Sequence, residues 1–273
     1  MRFRKVTLGA FAILTLTSAA DALSSTGETL TWDGEGIDNL IYSPQNWNPD
    51  GRPVDGKSGV VAADIKTGYS IGKAAMTNGY NITYKDTSSL GVVNGSVMLT
   101  LAGGTEFTFQ DNSALQVGEH LYLGFSAKTQ GGAKLTLAGN ATATIMGNLV
   151  FGITGAEGSS SGRLNLQGNS SATVAGVMEW HQSVEGPNVT HYISLADSAK
   201  LTIKAAKSRN RNGATLVVNF QQTDKKHTPS LALAEDTEFL AENIQFQING
   251  ENAKLGDPRF NLQGGTLTLV VKP

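Results

Sequence analysis

Acidic and histidine side chains between positions 119 and 192 are the residues of this chain best suited to chemistry. Glu179 and His181 flank Trp180, His191 follows ten residues after His181, and Glu119 precedes them in an earlier part of the sequence. A carboxylate beside an imidazole can transfer protons, and a glycosidase needs two carboxyl groups roughly 5 to 10 Å apart. Glu179, His181 and His191 are therefore the candidate cluster of a carbohydrate-active enzyme. Scattered surface positions are the simpler interpretation, and we predict no catalytic residue.

Metal and cofactor chemistry has little support in the sequence. There is no cysteine, which excludes thiolate ligands, cysteine nucleophiles and redox pairs. The four histidines lack the i, i+4 spacing of a helical zinc site, and neither a Gly-x-Ser-x-Gly elbow nor a phosphate-binding loop occurs. We predict no metal and no cofactor.

Two sets of residues are candidates for binding rather than catalysis. Indole faces can stack on sugar rings, which makes Trp32, Trp47 and Trp180 candidate glycan contacts, although Trp32 and Trp47 are better explained as a hydrophobic cap. A basic stretch is a candidate site for an acidic glycan or an anionic surface, and it contains Lys204, Lys207, Arg209 and Arg211. Asn and Gly interrupt that stretch, which favours a solvated loop. The formal net charge of −2 gives no reason to expect nucleic acid as a partner.

A recurring motif, Leu-x-Leu-x-Gly-Asn and its variants, indicates the strands that must position these residues. Its second apolar residue recurs at intervals of 36, 29, 29, 38 and 29, at Leu101, Leu137, Leu166, Leu195, Leu233 and Leu262. Three of the five intervals are identical and the other two differ by loop-sized insertions, which indicates a repeat architecture. All six copies are alternating strands, four of them end in a glycine turn, and a second strand follows, as in 105–109, 141–145, 171–174 and 200–203.

Two or three short strands per repeat predict an all-β fold, a parallel β-helix whose coils stack at about 4.8 Å. The paired leucines form an inward column, while Thr136, Asn165 and Ser194 between them face solvent. A β-sandwich built from the same strands in antiparallel pairs is the alternative, since periodicity alone does not exclude it. The regular 29-residue spacing favours the β-helix.

Three segments are expected along the chain. Residues 1–22 have the basic start, apolar run and small-residue cleavage site of a signal peptide, which predicts export to the periplasm, the cell surface or the extracellular space. Residues 23–58 differ from the repeats and form an N-terminal capping segment, and residues 59–273 form the repeat domain. We expect no transmembrane helix in the mature chain, and the sequence does not determine its oligomeric state.

The N-terminal phrases carry a family resemblance. Thr31-Trp-Asp-Gly, Asn46-Trp47 and Gly51-Arg-Pro53, followed by strand-turn repeats, resemble the opening of bacterial exported proteins with autotransporter-associated β-strand repeats. The resemblance implies a right-handed β-helix, surface display or secretion, and adhesive or structural roles.

The sequence thus predicts an exported, noncatalytic structural or adhesive protein that binds a glycan or a surface protein through one repetitive side of the β-helix. Charged and aromatic residues are scarce along the repeats, whereas sugar-processing clefts usually need both. The alternative is a polysaccharide lyase or glycosidase centred on Glu179 and His181.

Overall fold

A computed structural model describes most of the chain beyond the predicted signal peptide, which lies outside the described residues. The described ranges are 27–54, 57–67, 79–99, 105–124, 132–152, 161–181, 189–208, 214–223, 226–233 and 244–269. They form β-strands and one short 3-10 helix, Pro44–Asn46. Within these ranges, no helix has the length and apolar character required to cross a membrane.

The strands, numbered in chain order, form two sheets. The first sheet has eleven strands: β1 (Thr29–Trp32), β2 (Trp47–Asn48), β3 (Ser58–Val61), β5 (Asn81–Tyr84), β8 (Glu106–Phe109), β11 (Gly132–Leu137), β14 (Ser161–Leu166), β16 (Thr190–Ala196), β18 (Thr215–Gln221), β20 (Ile244–Ile248) and β21 (Glu251–Ala253). The second sheet has twelve: β4 (Asp64–Thr67), β6 (Ser89–Val92), β7 (Val97–Leu99), β9 (Ala114–Val117), β10 (Leu121–Leu123), β12 (Thr142–Ile145), β13 (Leu149–Phe151), β15 (Ser171–Trp180), β17 (Lys200–Ser208), β19 (Ser230–Leu233), β22 (Phe260–Gln263) and β23 (Thr266–Leu269).

Parallel pairing between successive coils confirms the predicted β-helix, which has about six turns. In the first sheet β11 pairs with β8 before it and β14 after it, and in the second sheet β12 pairs with β9 and β15. The antiparallel sandwich alternative is wrong, because antiparallel pairs among the described strands occur only at the two ends.

Inward side chains stack in register along the axis. One buried column of the first sheet runs through Tyr84, Phe109, Leu137, Leu166, Leu195, Phe220 and Ile248. Its members are 25, 28, 29, 29, 25 and 28 residues apart, so each coil is slightly longer or shorter at its turns but returns to the same position. The column is aromatic or aliphatic at every level, which removes its side chains from water coil by coil.

This column corrects part of the predicted repeat. Leu137, Leu166 and Leu195 are equivalent as expected, but Leu101 lies outside the described residues, Leu233 belongs to the second sheet, and Leu262 lies in an antiparallel hairpin. Segment 105–109, predicted as a second strand, contains β8 of the first sheet. Strands of both sheets alternate in the same way, so the alternating pattern does not reveal which sheet a strand joins.

The glycine-asparagine turn of the motif has a clear physical reason. Gly139 and Gly168 adopt left-handed φ values of +65° and +70°, and a Cβ at Gly168 would lie 2.9 Å from the carbonyl oxygen of Gly139 in the coil below. The adjacent asparagines form a ladder across three coils. The Asn140 amide donates to Asn112 Oδ1 at 3.1 Å, and the Asn169 amide donates to Asn140 Oδ1 at 3.2 Å.

Outward positions of the first sheet are more covered than the sequence predicted. Asn165 and Ser194 are partly exposed, but Thr136 in the same column is only 9% exposed. Two residues before Thr136 on the same face, Lys134 pairs in register with Glu106, and the two side chains form a 2.7 Å ion pair. Thr136 is therefore a correction to the expected solvent-facing column.

Two tryptophans and one asparagine close the N-terminal end. Trp47 is fully buried, its Nε1 donates to the carbonyl oxygen of Ile41 at 2.9 Å, and its ring meets Trp32 edge-on at 5.3 Å. The buried Asn46 amide donates to the carbonyl oxygens of Asp38 and Leu40 at 2.8 and 3.1 Å. These contacts hold the irregular segment between β1 and β2 against the first coil.

The C-terminal end is closed by antiparallel strands that the sequence analysis did not predict. Strand β21 folds back on β20, and the β22–β23 hairpin joins the edge formed by β19. Phe260 packs edge-on against Phe220 and Phe246, with ring centroids 5.3 and 6.1 Å apart. Reversed strands cover the last parallel edge, which would otherwise offer unpaired backbone groups to another chain.

Neighbouring residues of β14 provide a test of the register. Replacing the buried Leu166 by Ala leaves a cavity in the column and should lower the free energy of unfolding by about 2–5 kcal/mol. Asn165→Ala, one residue away on the outer face, should change it by less than about 0.5 kcal/mol. Urea unfolding followed by circular dichroism measures both, and equal losses in the two variants would contradict this register.

Candidate functional site

The predicted acid–base residues lie where the last part of β15 leads into β16. Register pairing places Tyr122, Val150 and Glu179 at the same outer position of three consecutive coils, with the backbone of Lys207 on the next coil. His181 directly follows β15, and His191 is the second residue of β16. The fold therefore brings Glu179, His181 and His191 together, although ten residues separate the two histidines.

Short contacts connect the three residues. Glu179 Oε2 lies 3.4 Å from His181 Nε2, and His191 Nε2 lies 2.9 Å from the carbonyl oxygen of His181. The backbone N–H of Gly162 donates to His191 Nδ1 at 3.1 Å. Since Nδ1 accepts, the ring proton of neutral His191 resides on Nε2 and is donated to His181. His191 thus links the backbones of Gly162 and His181.

Burial fixes the protonation state of His191. The side chain is completely buried, and burial lowers its pKa to about 4, with the neighbouring His181 acting in the same direction and the hydrogen bond to the His181 carbonyl acting against it. His191 is neutral at neutral pH. Its geometry and charge state both fit a structural role better than proton transfer to a substrate.

Tyr122 is a member of this region that sequence reasoning missed. Burial raises the pKa of its phenol, and the charges of Glu179 and then Glu119 raise that pKa further. Both carboxylates are therefore close enough to Tyr122 to act on it. The exposed Glu119 also accepts a hydrogen bond from Ser96 Oγ at 3.1 Å. Only the in-register alignment of coils, which no single sequence displays, could have revealed Tyr122.

The three tryptophans do not present stacking platforms. Trp47 and Trp180 are fully buried and Trp32 is 9% exposed, because all three indoles pack into the core. For Trp32 and Trp47 this placement agrees with the hydrophobic cap that the sequence favours, and the burial of all three indoles is at odds with a role as glycan contacts. Aromatic character in the sequence signalled packing here, not recognition.

The predicted basic stretch is only partly described. Lys204 is exposed and follows Thr202 on the outer face of β17, while Arg209 and Arg211 lie outside the described residues. The backbone of Lys207 pairs with Glu179 in the neighbouring coil. Among the described side chains, no group of three His, Asp or Glu residues could hold a metal ion.

A second surface, which we call the hydroxyl face, emerges on the outer side of the second sheet. Thr142 pairs in register with Ser171, and Thr144 pairs with Thr173 and then Thr202. Four of these side chains are exposed and Ser171 is partly exposed. Coils spaced by about 4.8 Å and alternate residues spaced by about 6.6 Å arrange the hydroxyls as a regular grid. The hydroxyl face comprises Thr142, Thr144, Ser171, Thr173 and Thr202.

The buried His191 predicts acid-dependent stability. The imidazole of the unfolded chain takes up a proton near its ordinary pKa of 6.5, whereas the folded side chain does so only near 4. The unfolded state therefore binds more protons between these values, and stability should fall by up to about 3 kcal/mol as the pH drops through that window. Unfolding free energies of the wild type and His191→Gln, measured from pH 7 to 4, should show a shallower slope in the variant. Identical slopes would contradict this assignment.

Comparisons with known proteins give no match: no family model, no curated protein and no solved structure is similar to this chain. The resemblance of the Thr31-Trp-Asp-Gly and Asn46-Trp47 phrases to autotransporter-associated repeats therefore stays a prediction. Functional inference rests on the surfaces and contacts of this chain itself.

Proposed function

We propose that this protein is an exported, noncatalytic structural or adhesive protein of the cell surface, periplasm or extracellular space. It binds a glycan or a protein through the hydroxyl face. The observation that carries this proposal is the alignment of exposed, uncharged hydroxyls over three consecutive coils, β12, β15 and β17. Hydroxyl groups both donate and accept hydrogen bonds, and the threonine methyl groups add apolar contact.

The outer side of the first sheet is less suited to this role. Its charged side chains engage one another, since Lys134 Nζ lies 2.7 Å from Glu106 Oε1 and the Arg163 guanidinium lies 5.0 Å from the centre of the Tyr192 ring. A ligand binding there would have to displace these contacts. The hydroxyl face offers short side chains with little conformational entropy to lose, which favours it as the binding side.

Weak contacts become useful through repetition. A neutral hydrogen bond contributes only about 0.5–1.5 kcal/mol net, so one coil alone gives negligible affinity. A chain-like ligand that touches several coils makes its later contacts at high effective concentration, which raises the total affinity without any single strong contact. Recognition of this kind needs a rigid, repetitive surface, and stacked parallel coils provide one.

A carbohydrate-active enzyme centred on Glu179 and His181 is the competing proposal. The 3.4 Å contact between these side chains, with Tyr122 nearby, supports it. Against it, the Glu179 and His181 side chains are only 8% and 10% exposed, so a substrate has little access to either group. Glycoside hydrolysis also needs a second carboxyl group across the scissile bond, and the other carboxylate that acts on Tyr122, Glu119, accepts a hydrogen bond from Ser96.

One assay distinguishes the two proposals, because they predict different products. The mature chain, residues 23–273, is incubated with mucin-type and plant polysaccharides while retention and released products are both recorded. We expect retention without products, reduced at least about tenfold by Thr173→Glu, which places a charge within the hydroxyl face, because desolvating an unpaired charge is costly. Asn165→Glu, on the outer side of the first sheet, is the matched control and should retain glycan as the wild type does.

Released products that disappear in Glu179→Gln would overturn the noncatalytic proposal in favour of the enzyme. Equal retention by Thr173→Glu and the wild type would show that another surface binds. Absence of any retention would refute glycan binding and leave a protein partner as the ligand class.

A further inference from the structure

A gap in one side-chain column lies beside the hydroxyl face. Register pairing aligns Val92, Val117 and Ile145, so the residues that follow them occupy one position on three consecutive coils. These residues are Val93, Gly118 and Met146. Val93 and Met146 are among the few exposed large apolar side chains, at 60% and 61%, and Gly118 between them has no side chain.

Backbone packing makes this gap permanent. A Cβ at Gly118 would overlap the carbonyl oxygen of Val93, so no larger residue fits there without shifting the coil. Gly118 N–H donates to Val92 O at 2.7 Å and Met146 N–H donates to Val117 O at 2.9 Å, which holds the three coils in place. Two coil spacings, about 9.6 Å, separate the backbones that carry Val93 and Met146.

The gap opens into a cavity of about 240 Å³. Its polar walls are the side chains of Gln116 and Thr144, and its apolar walls include Val93 and Met146. Gly91 also lines the cavity and is itself buried beside the side chain of Lys66, and none of the lining residues is charged. The volume is below the roughly 300 Å³ at which pockets for drug-sized ligands begin, so it suits a single ring.

The lining chemistry selects among single rings and side chains. A neutral pyranose has apolar C–H faces that can pack between Val93 and Met146, and rim hydroxyls that can bond to Gln116 and Thr144. An aliphatic side chain of a protein partner would leave the amide and the hydroxyl without bonds, which is costly on desolvation. An anionic sugar would bring a charge to a cavity whose walls carry none.

We propose that this cavity binds one neutral pyranose unit of a glycan. Thr144 belongs both to the cavity and to the hydroxyl face, so the following sugar units lie along Thr173 and Thr202 in the next coils. The cavity is thus the point at which the chain fixes the position of its ligand. This inference rests on the proposed function, since it names the ligand class and the anchoring site of the same surface.

Methyl NMR of the full mature chain tests the cavity directly. The probes are the methyl glycosides of glucose, mannose and galactose, with glucuronate as the charged comparison and N-acetyl-leucinamide as the apolar one. We expect at least one neutral glycoside to shift the Met146 and Val93 methyl signals saturably at millimolar concentration, with smaller shifts from glucuronate and N-acetyl-leucinamide.

Gly91→Phe should fill the cavity and raise the dissociation constant at least about tenfold. A Cβ at Gly91 meets its nearest neighbour, Lys66 Cγ, at 3.6 Å, an ordinary contact, so the backbone at this position has room for a side chain to begin. Asn165→Phe adds the same bulk on the outer side of the first sheet, outside both the cavity and the hydroxyl face, and should leave the dissociation constant unchanged.

Two results would overturn the cavity assignment: no saturable shift with any neutral glycoside, or equal affinity in Gly91→Phe. A shift with N-acetyl-leucinamide alone would also overturn it and assign the cavity to a protein side chain. Polysaccharide retention that survives in Gly91→Phe would refute the cavity and leave the proposed function intact. Glycoside binding at Met146 by a chain that retains no polysaccharide would refute polysaccharide binding through the hydroxyl face and leave the cavity intact.

Discussion

In-register stacking of parallel strands is the constraint on which this structure depends. Each coil forms its backbone hydrogen bonds with the coils on either side. A position that faces the core in one coil therefore faces the core in every coil that is paired in register with it. The column from Tyr84 to Ile248 satisfies that rule with aromatic or aliphatic side chains at every level. Outward residues are aligned by the same rule, which is why a surface of this protein repeats with the period of its core.

Stacking also creates two problems, and the chain solves both with local chemistry. Every coil must turn in the same place, and left-handed glycines with an asparagine ladder stack one turn on another at 139–140 and 168–169. The two ends would expose unpaired strand edges. Antiparallel strands cover the first sheet at both ends and the second sheet at its C-terminal end, with Trp47 and Asn46 packed at one end and Phe260 at the other. The buried His191 performs a related task inside the coil, joining backbone groups of Gly162 and His181.

The sequence was sufficient for the fold class and insufficient for the register. Alternation and a 29-residue period predict the β-helix and the equivalence of Leu137, Leu166 and Leu195. Alternation and period do not show which sheet a strand joins, because coil lengths vary at the turns and both sheets alternate alike. The pattern therefore predicts a second strand over 105–109, whereas this segment contains β8 of the first sheet. The cluster of Glu179, His181 and His191 was found from residue type alone. Its burial, the contribution of Tyr122 and the gap at Gly118 depend on neighbouring coils, which the order of residues in one coil does not encode.

The central claim is that ligand contacts the outer side of the second sheet, and the absence of cysteine permits a direct test. Single spin labels are attached through Thr173→Cys on the hydroxyl face and through Asn165→Cys on the first sheet, and paramagnetic resonance spectra are recorded with and without a retained polysaccharide. The account predicts that the label at position 173 is immobilised by the ligand while the label at position 165 is unaffected. Immobilisation at 165 with free motion at 173 would contradict it.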